Sequence, residues 1–509
     1  MNTRASYLPL YATIFLLTAI EFLQLSMVAF GAGPIMGEVS ITPEDFSLIA
    51  AVYASIAILA ISMQRGLVTW LGGRLLIQCA TAVSLLGAVL CATSHDFGSF
   101  LLGRIVMALG GGALFTSARM IIHHVLAGPK RFVGIKCLAY GVATCISAGP
   151  WLAAQAVSHD TWSAIFWLLA LLDGVAFVLA CGSLDNSLRG YEKGRSDWNP
   201  WLQLMLAGGS FGVLYALQRF YYDFYGDTVF LAGVLVVAIL ALMLYAHHQR
   251  VHRQPLLHIR GMLHTRYIAG VSLFMFGYLM LGANNYVIPT WLLRSLGYSW
   301  ETVGHFEALG ALAAVATFTV VSKLLPRYPA PRKFWITGFI ALAVFGIMLS
   351  RLDPAANPWL HILPALASYN VFLMTLLPVT AMQAFREMEN DETLFSNAQQ
   401  VKNMLAQAGI ALGITMATLG QQWRTTVHYN VLNAKVTPDN PIYVEMVKHF
   451  QSALSTSLDP AQAAQVAVAH IAQMIGQQSA MLAGIDHFSL IAVLGVAGVV
   501  VTLVQRVFR

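Results

Sequence analysis

Fourteen long apolar stretches dominate this 509-residue chain, and most of them contain no charged residue. A helix needs about 20 mostly apolar residues to cross a lipid bilayer. By residue number the stretches lie at 8–30, 46–64, 75–94, 97–122, 137–158, 161–183, 199–218, 228–246, 267–293, 302–322, 334–350, 359–385, 395–423 and 480–505. Because backbone groups in lipid must bond to one another, this pattern predicts an all-α polytopic membrane protein with 14 transmembrane helices.

Composition excludes several classes of soluble protein. Charged residues make up 10% of the chain and hydrophobic residues 58%, whereas soluble domains average about 25% charged residues. So little charge cannot coat an ordinary cytosolic enzyme, a disordered chain or a nucleic-acid-binding protein. The five cysteines lie inside apolar stretches and show no zinc-binding spacing. We expect buried thiols, no metal site and no cofactor.

The distribution of basic residues predicts the orientation in the membrane. If both termini are cytoplasmic, 20 of the 29 lysines and arginines fall in inner loops and six in outer loops. Cytoplasmic loops of membrane proteins are enriched in these residues. A miscounted span would scramble this alternation, so the asymmetry supports 14 spans with both termini in the cytoplasm.

The order of the spans predicts two membrane halves joined by a charged linker. We predict an N-terminal six-helix half at 1–184, a cytoplasmic linker at 185–198, two extra transmembrane helices at 199–262 and a C-terminal six-helix half at 263–509. The second half contains one long outer loop, 424–479. Asn440-Pro441 and Asp459-Pro460 are typical helix starts, in which a capping residue precedes proline. We therefore expect this loop to be helical and its last helix to run into the final span.

Sequence motifs on the fourth and fifth spans resemble those of a known transporter family. The fifth span contains Gly141 and Gly149-Pro150, and the fourth contains Arg104 followed by Gly110–Gly112. This pattern resembles the major facilitator superfamily, its fourteen-span drug:proton antiporter group and, within it, EmrB-type exporters. The resemblance implies the major facilitator fold, with the antiporter motif at Gly141, Gly149 and Pro150. It also implies proton-driven export in which a periplasmic adaptor and an outer-membrane channel take part.

Parts of the family pattern are missing from this chain. Ala153 and Ala154 stand where two glycines are expected after the proline, and Thr69 replaces an inner-loop aspartate. The acid expected on the first span aligns with Leu25, whereas this chain has Glu21 one helical turn earlier on the same face. The change at Thr69 affects an intracellular charge lock that the resemblance implies, and Glu21 would be the proton-binding acid moved by one turn.

Three ionisable residues inside the spans are candidates for proton coupling. A charged side chain near the bilayer centre costs about 2.5–3.5 kcal/mol or more and usually has a function. Glu21 lies about 13 Å and Arg104 about 10 Å below the outer ends of their spans, and Asp173 lies near mid-membrane. Burial disfavours an ionised carboxyl group, so Glu21 is suited to bind and release a proton. Each residue has a structural alternative, because Glu21 could pair with an arginine, Arg104 with backbone carbonyls and Asp173 with a neighbouring helix.

Polar residues on three later spans are candidates for the substrate cavity. Asn284 and Asn285 with Pro289 are expected to interrupt the ninth span, and Asn370 with Pro364 and Pro378 the twelfth. Broken polar helices often line transporter binding sites. Lys402 and Asn403 lie on a polar face of the thirteenth span. Helix–helix hydrogen bonding is the alternative explanation for these residues.

The sequence therefore favours a proton-coupled antiporter of small amphipathic molecules in the bacterial inner membrane. A dedicated exporter or proton symporter of one metabolite on the same scaffold is the alternative. A membrane enzyme is a third class, but the chain has no nucleophile or metal motif to support it and no phosphate-binding loop for direct use of ATP.

Overall fold

The computed structural model describes residues 7–159, 161–184, 199–220, 224–328, 330–353, 356–388, 391–455 and 458–508. All regular elements within these ranges are helical. The α-helices are Leu8–Phe30 (α1), Ala32–Glu38 (α2), Pro43–Leu71 (α3), Gly73–Ala92 (α4), Phe97–Gly111 (α5), Leu114–Val125 (α6), Pro129–Ser158 (α7), Ala164–Ser183 (α8), Pro200–Arg219 (α9), Phe224–Val251 (α10), Ile259–Met262 (α11), Thr265–Leu296 (α12), Trp300–Leu324 (α13), Pro331–Ser350 (α14), Leu363–Ala384 (α15), Glu392–Asn433 (α16), Pro441–Leu454 (α17) and Pro460–Val504 (α18).

The predicted number of spans is confirmed, because 14 helical segments are long and apolar enough to cross a membrane. We call the end of the bundle where α1 begins the inner end and the opposite end the outer end. The fourth span differs from its prediction, since it is not one helix. It breaks between Gly111 and Leu114 into α5 and α6.

Helices extend beyond the apolar stretches where the sequence supplies caps. Thr42 begins α3 with a capping box, in which its hydroxyl accepts from the Asp45 N–H and the Asp45 carboxylate accepts from the Thr42 N–H. Reciprocal bonds of this kind satisfy N–H groups that a helix start leaves free. The two helix starts predicted in the outer loop are also confirmed, with Asn440 capping α17 and Asp459 capping α18.

The outer extension consists of α17 and the outer parts of two very long helices, α16 and α18. Helix α16 has 42 residues and α18 has 45, so they are about 63 and 68 Å long. Both exceed the hydrocarbon core of a bilayer, which is about 30 Å thick. Arg424 and His428 of α16 both contact the Asp486 carboxylate of α18 at 2.6 Å. These contacts join the two helices where the extension begins.

Packing of the helices places two groups side by side. In the first group α1 packs on α6, α7 and α8, α4 packs on α5 and α8, and α3 packs on α5. In the second group α12 packs on α16, α14 on α15 and α18, and α13 on α15. The groups meet where α7 packs on α13 and α3 packs on α16. Helices α9 and α10 pack on each other, and α9 also contacts α3 and α16. The predicted linker 185–198 lies outside the described residues.

Candidate functional site

Glu21 is held between the two groups of helices. It lies half-buried on α1. Its Oε2 accepts a hydrogen bond from the Phe115 backbone N–H of α6 at 2.8 Å, and its Oε1 accepts from the Gln407 side-chain amide of α16 at 2.9 Å. Both carboxylate oxygens are therefore bonded, one within its own group of helices and one across to the other.

The Phe115 N–H can donate to Glu21 because the fourth span breaks at this point. Helix α6 begins at Leu114, so the Phe115 N–H lies in the first turn, where a helix provides no backbone acceptor. Gly110 and Gly111 end α5 and Gly112 lies in the break, and these glycines pack closely on neighbouring helices. A Cβ at Gly110 would lie 2.3 Å from the Ser84 nitrogen, and one at Gly112 would lie 2.6 Å from the Ala57 Cβ. A helix N-terminus attracts negative charge, so this arrangement favours an ionised Glu21 against the effect of burial.

Arg104 lies near Glu21 and bonds to a different residue. Its guanidinium donates to the Gln24 side-chain oxygen at 2.8 Å and lies 4.3 Å from the centre of the Tyr53 ring. Arg104 and Glu21 line the same cavity but form no ion pair in the described structure. The arginine is buried, so its hydrogen bond to the Gln24 amide and its contact with the Tyr53 ring replace interactions with water.

Asp173 lies behind this cluster. It is fully buried on α8, and its Oδ2 accepts from the Ser84 hydroxyl of α4 at 2.8 Å. Its Oδ1 has no hydrogen-bond partner among the described residues. A Cβ at Gly111 would lie 3.1 Å from the Ser84 hydroxyl and 3.7 Å from the Tyr53 hydroxyl. Asp173 itself is not in the wall of the cavity that contains Arg104.

Lys402 and Asn403 lie on the face of α16 that meets α6. The Asn403 amide donates to the Thr116 hydroxyl at 2.8 Å. Lys402 is completely buried, and its ammonium has no hydrogen-bond partner among the described residues. Three aromatic rings surround this ammonium, with centres 5.0, 5.1 and 5.8 Å from Nζ. They belong to Phe115, Phe274 and Tyr278.

Two cavities follow this interface. The central cavity has a volume of about 50 Å³ and contains Glu21, Arg104 and Asn403 in its wall. The inner cavity has a volume of about 800 Å³ and lies at the inner ends of α3, α6, α15 and α16. Helix α16 contributes to both walls, and Lys402 lies between its contributions to each.

Comparisons with known proteins agree with this architecture. A model of the Major Facilitator Superfamily matches residues 14–414. The chain belongs to this family. It is 21% identical over 477 residues to the MFS-type transporter YhcA of Bacillus subtilis, covering 93% of this chain and 88% of that protein. It is 22% identical to the colistin resistance protein EmrB of Acinetobacter baumannii, covering 84% and 82%, and 23% identical to the lincomycin resistance protein LmrB of Listeria monocytogenes, covering 67% and 72%.

Solved structures give the same fold for this major facilitator protein. It matches a bacterial homologue of the lysosomal transporter Spinster, in an inward-facing and occupied conformation, with a TM-score of 0.57. The two share 13% identity, with 99% of this chain and 98% of that chain covered. An auto-inhibited peptide transporter of the POT family also matches with a TM-score of 0.57 and 13% identity, covering 97% of each chain. The family match and the relatives named above indicate a transporter.

The residues of the antiporter motif form a close contact in this major facilitator protein. A Cβ at Gly141 would lie 3.1 Å from the Phe15 carbonyl, and one at Gly149 would lie 2.5 Å from the Ser26 hydroxyl, so both glycines let α7 approach α1. On its other side α7 meets α13, where a Cβ at Gly304 would lie 2.3 Å from the Ala154 Cβ and 3.0 Å from the Pro150 carbonyl. At Ala154 the small residue of the contact with α13 is therefore Gly304.

The three remaining cavity candidates are placed elsewhere. Asn284 and Asn370 are buried, and their amides donate to carbonyls four residues earlier in their own helices, at 2.9 Å each. Neither they nor Asn285 line the central or the inner cavity. The interruptions predicted at Pro289 and Pro378 are wrong, since α12 and α15 continue through them. Pro364 lies in the first turn of α15, directly after a π-helix at Pro358–Ile362, so the twelfth span does change its helix type there.

Sequence reasoning missed three polar partners in the site, which are Gln24, Tyr53 and Gln407. Uncharged side chains are common in membrane helices, and nothing local distinguishes these three. Gln407 continues the helical spacing that starts at Gln399 and Asn403, and this spacing is the one signal that could have found it.

Proposed function

We propose that this protein is a proton-coupled antiporter that exports small amphipathic molecules across the bacterial inner membrane. The two halves, 1–184 and 263–509, would alternate access to a site between them, with both termini in the cytoplasm. The observation that carries the proposal is the position of Glu21. One carboxylate oxygen bonds to a helix start in the first half and the other to Gln407 in the second. The charge of Glu21 therefore affects the strength of a contact between the two halves.

Protonation of Glu21 changes both of these hydrogen bonds. A neutral carboxyl group is a weaker acceptor than a carboxylate, and it gains less from the N-terminus of α6. Proton binding thus weakens the arrangement in which α1, α6 and α16 meet. Coupling requires that proton and substrate each bind with different affinity in the two states. Arg104 shares the central cavity with Glu21, and the buried Asp173 is the other ionisable candidate for proton coupling.

The present arrangement corresponds to an inward-facing state. The larger cavity lies at the inner end. At the outer end the halves meet through ring contacts, with centres 5.7 Å apart between Phe30 and Trp300 and 6.1 Å apart between Phe46 and Tyr286. A substrate would enter from the inner cavity and reach the central cavity beside Glu21. Relatives that confer resistance to colistin and lincomycin support export as its direction.

The outer extension is a suitable contact for a periplasmic adaptor, which would connect the protein to an outer-membrane channel. Helix α17 has no buried residue, and Ile442 on it is 68% exposed. An extension of this length projects beyond the bilayer and offers a surface for another protein.

Proton release by the purified protein tests the proposal. Amphipathic compounds such as tetraphenylphosphonium are added to the native protein and to Glu21→Gln in weakly buffered detergent. Glu301→Gln is a matched control, because Glu301 is an exposed acid at the start of α13. We expect proton release from the native protein and the control, and none from Glu21→Gln. Release from all three proteins would place coupling elsewhere, with Asp173→Asn tested next. Absence of release with every compound would contradict antiport.

A further inference from the structure

The buried ammonium of Lys402 lacks the partner that such a group normally has. Lys402 is completely buried and forms no hydrogen bond within the described residues. A buried charge is usually paired and hydrogen-bonded, because removal from water costs several kcal/mol per ion. Lys402 therefore calls for an explanation beyond helix packing.

Both halves of the protein contribute to the surroundings of Lys402. The Phe115 ring comes from α6, whereas Phe274 and Tyr278 come from α12. Aromatic faces attract cations, so these rings hold the ammonium in place without neutralising it. Phe115 has a second contact in the site, because its backbone N–H donates to Glu21. One residue thus connects the ammonium and the carboxylate.

Glu21 is the acid that shares a neighbour with Lys402, because Phe115 contacts the ammonium with its ring and the carboxylate with its backbone N–H. The ammonium has no hydrogen-bond partner among the described residues, and the two Glu21 oxygens accept from Phe115 and Gln407. The other ionisable groups near the pair are Arg119 of α6, which repels the ammonium, and Tyr278 of α12. Arg119 is itself bonded to the Gln399 amide. Arg104 bonds to Gln24 and faces Tyr53, and Asp173 is bonded to Ser84.

We propose that Lys402 is a positioning residue for the proton site, acting as the counter-charge across the interface that keeps Glu21 ionised and attached to α6 and α16 in this state. The assignment rests on the proposed function for its role in transport. When Glu21 binds a proton, the attraction between the halves is lost and the ammonium remains uncompensated. The state shown here then becomes less favourable.

The proposal is tested by following the carboxyl group of Glu21 directly. Infrared difference spectra of the full-length protein in lipid, recorded as pH is changed, report the protonated carboxyl band, which is assigned by its absence in Glu21→Gln. The variants are Lys402→Met, which removes the charge at similar volume, and Lys402→Arg, which retains it. Lys333→Met is the control, because Lys333 is an exposed lysine at the inner end of α14.

The expected shift follows from the sign of the charge. A cation near a carboxylate favours its ionised form, so without it Glu21 is half-protonated at a higher pH. We expect a shift of about one pH unit or more for Lys402→Met. Lys402→Arg and Lys333→Met should titrate as the native protein does. An unchanged Glu21 titration in Lys402→Met overturns the proposal, and it is the result expected of a lysine that only contacts substrate.

A second measurement separates this role from general stability. Spin labels at the inner ends of α6 and α16 report the distance between the halves. We expect Lys402→Met to broaden this distribution at neutral pH as Glu21→Gln does, and Lys402→Arg to preserve the native one. A native distribution in Lys402→Met counts against the proposal. A shifted titration without substrate-linked proton release leaves the counter-charge role intact and contradicts only the antiport mechanism.

Discussion

The glycines at the contact of α12 and α16 lead to a prediction whose size can be worked out from the structure. A Cβ at Gly413 would lie 2.2 Å from the Leu279 carbonyl oxygen, and one at Gly282 would lie 2.2 Å from the Ile410 carbonyl oxygen. One turn earlier on α16, a Cβ at Gly409 would lie 2.9 Å from the Met275 carbonyl oxygen. Glycines spaced in this way let two membrane helices pack backbone against backbone.

We expect Gly413→Ala to destabilise the protein by about 3 kcal/mol, the upper part of the range for overpacked contacts. Ordinary contact begins at 3.4 Å, so the two helices must separate by roughly 1 Å. The opposing atom belongs to the backbone and cannot move as a side-chain end can. The separation also draws α12, with Phe274 and Tyr278, away from Lys402.

Unfolding of the purified variants in mixed micelles, followed by circular dichroism, measures this effect. Gly420→Ala is the matched control, because Gly420 lies on the same helix and a Cβ there meets nothing within 4 Å. The control should be neutral or slightly more stable, since alanine favours a helix more than glycine does. If Gly413→Ala unfolds within about 0.5 kcal/mol of Gly420→Ala, the close contact of α12 and α16 is not as described.

Two further predictions concern the outer end. Gly304→Val places a side chain where Ala154 and the Pro150 carbonyl lie 2.3 and 3.0 Å from the added Cβ, so we expect α13 to move away from α7 and an outward-open state to gain population. Spin-label distances between the outer ends of α7 and α13 measure this, and unchanged distances would contradict it. Asp96 caps α5, and hydrogen bonds from Ser99 lower the pKa of its carboxyl group. Its contribution to stability is present above the usual Asp range and is lost as pH falls through the lowered pKa. Asp96→Ala should therefore melt below the native protein at neutral pH, and the difference should disappear in acid; a difference independent of pH would refute the argument.

Much of the fold was predictable because the lengths of the apolar stretches and the distribution of basic residues between them can be read directly from the sequence. Fourteen spans and the capped starts at Asn440 and Asp459 depend on residues close together in sequence. The polar face at Lys402 and Asn403 was also visible as helical spacing. Each of these features depends on the period or on the local chemistry of one helix.

The partners of the site residues were less predictable, because they depend on contacts between distant segments. Gln407 reaches Glu21 across 386 residues. Asn284 and Asn370 show the opposite case, since each donates to a carbonyl of its own helix. Membrane helices tolerate a proline when neighbouring groups compensate for the lost bond, so Pro289 and Pro378 did not mark interruptions.

The position of Glu21 is explained by the break in the fourth span. The N–H groups in the first turn of α6 lack partners in their own helix, and lipid offers no water to replace them. Glu21 satisfies the one at Phe115. A residue at Leu25, where the family is expected to have its acid, lies about 6 Å farther along α1. The acid at Glu21 therefore fits a fourth span that breaks between Gly111 and Leu114.

This explanation gives Glu21 two roles that can be separated. Glutamine retains an oxygen that can accept from the Phe115 N–H, whereas leucine leaves that N–H unsatisfied, which costs about 1–3 kcal/mol. We expect Glu21→Gln to melt close to the native protein while losing proton release, and Glu21→Leu to lose both stability and proton release. The melting of both variants is compared in the same micelles. Equal stability of the two would show that Glu21 does not cap α6, and the start of α6 would then need another acceptor.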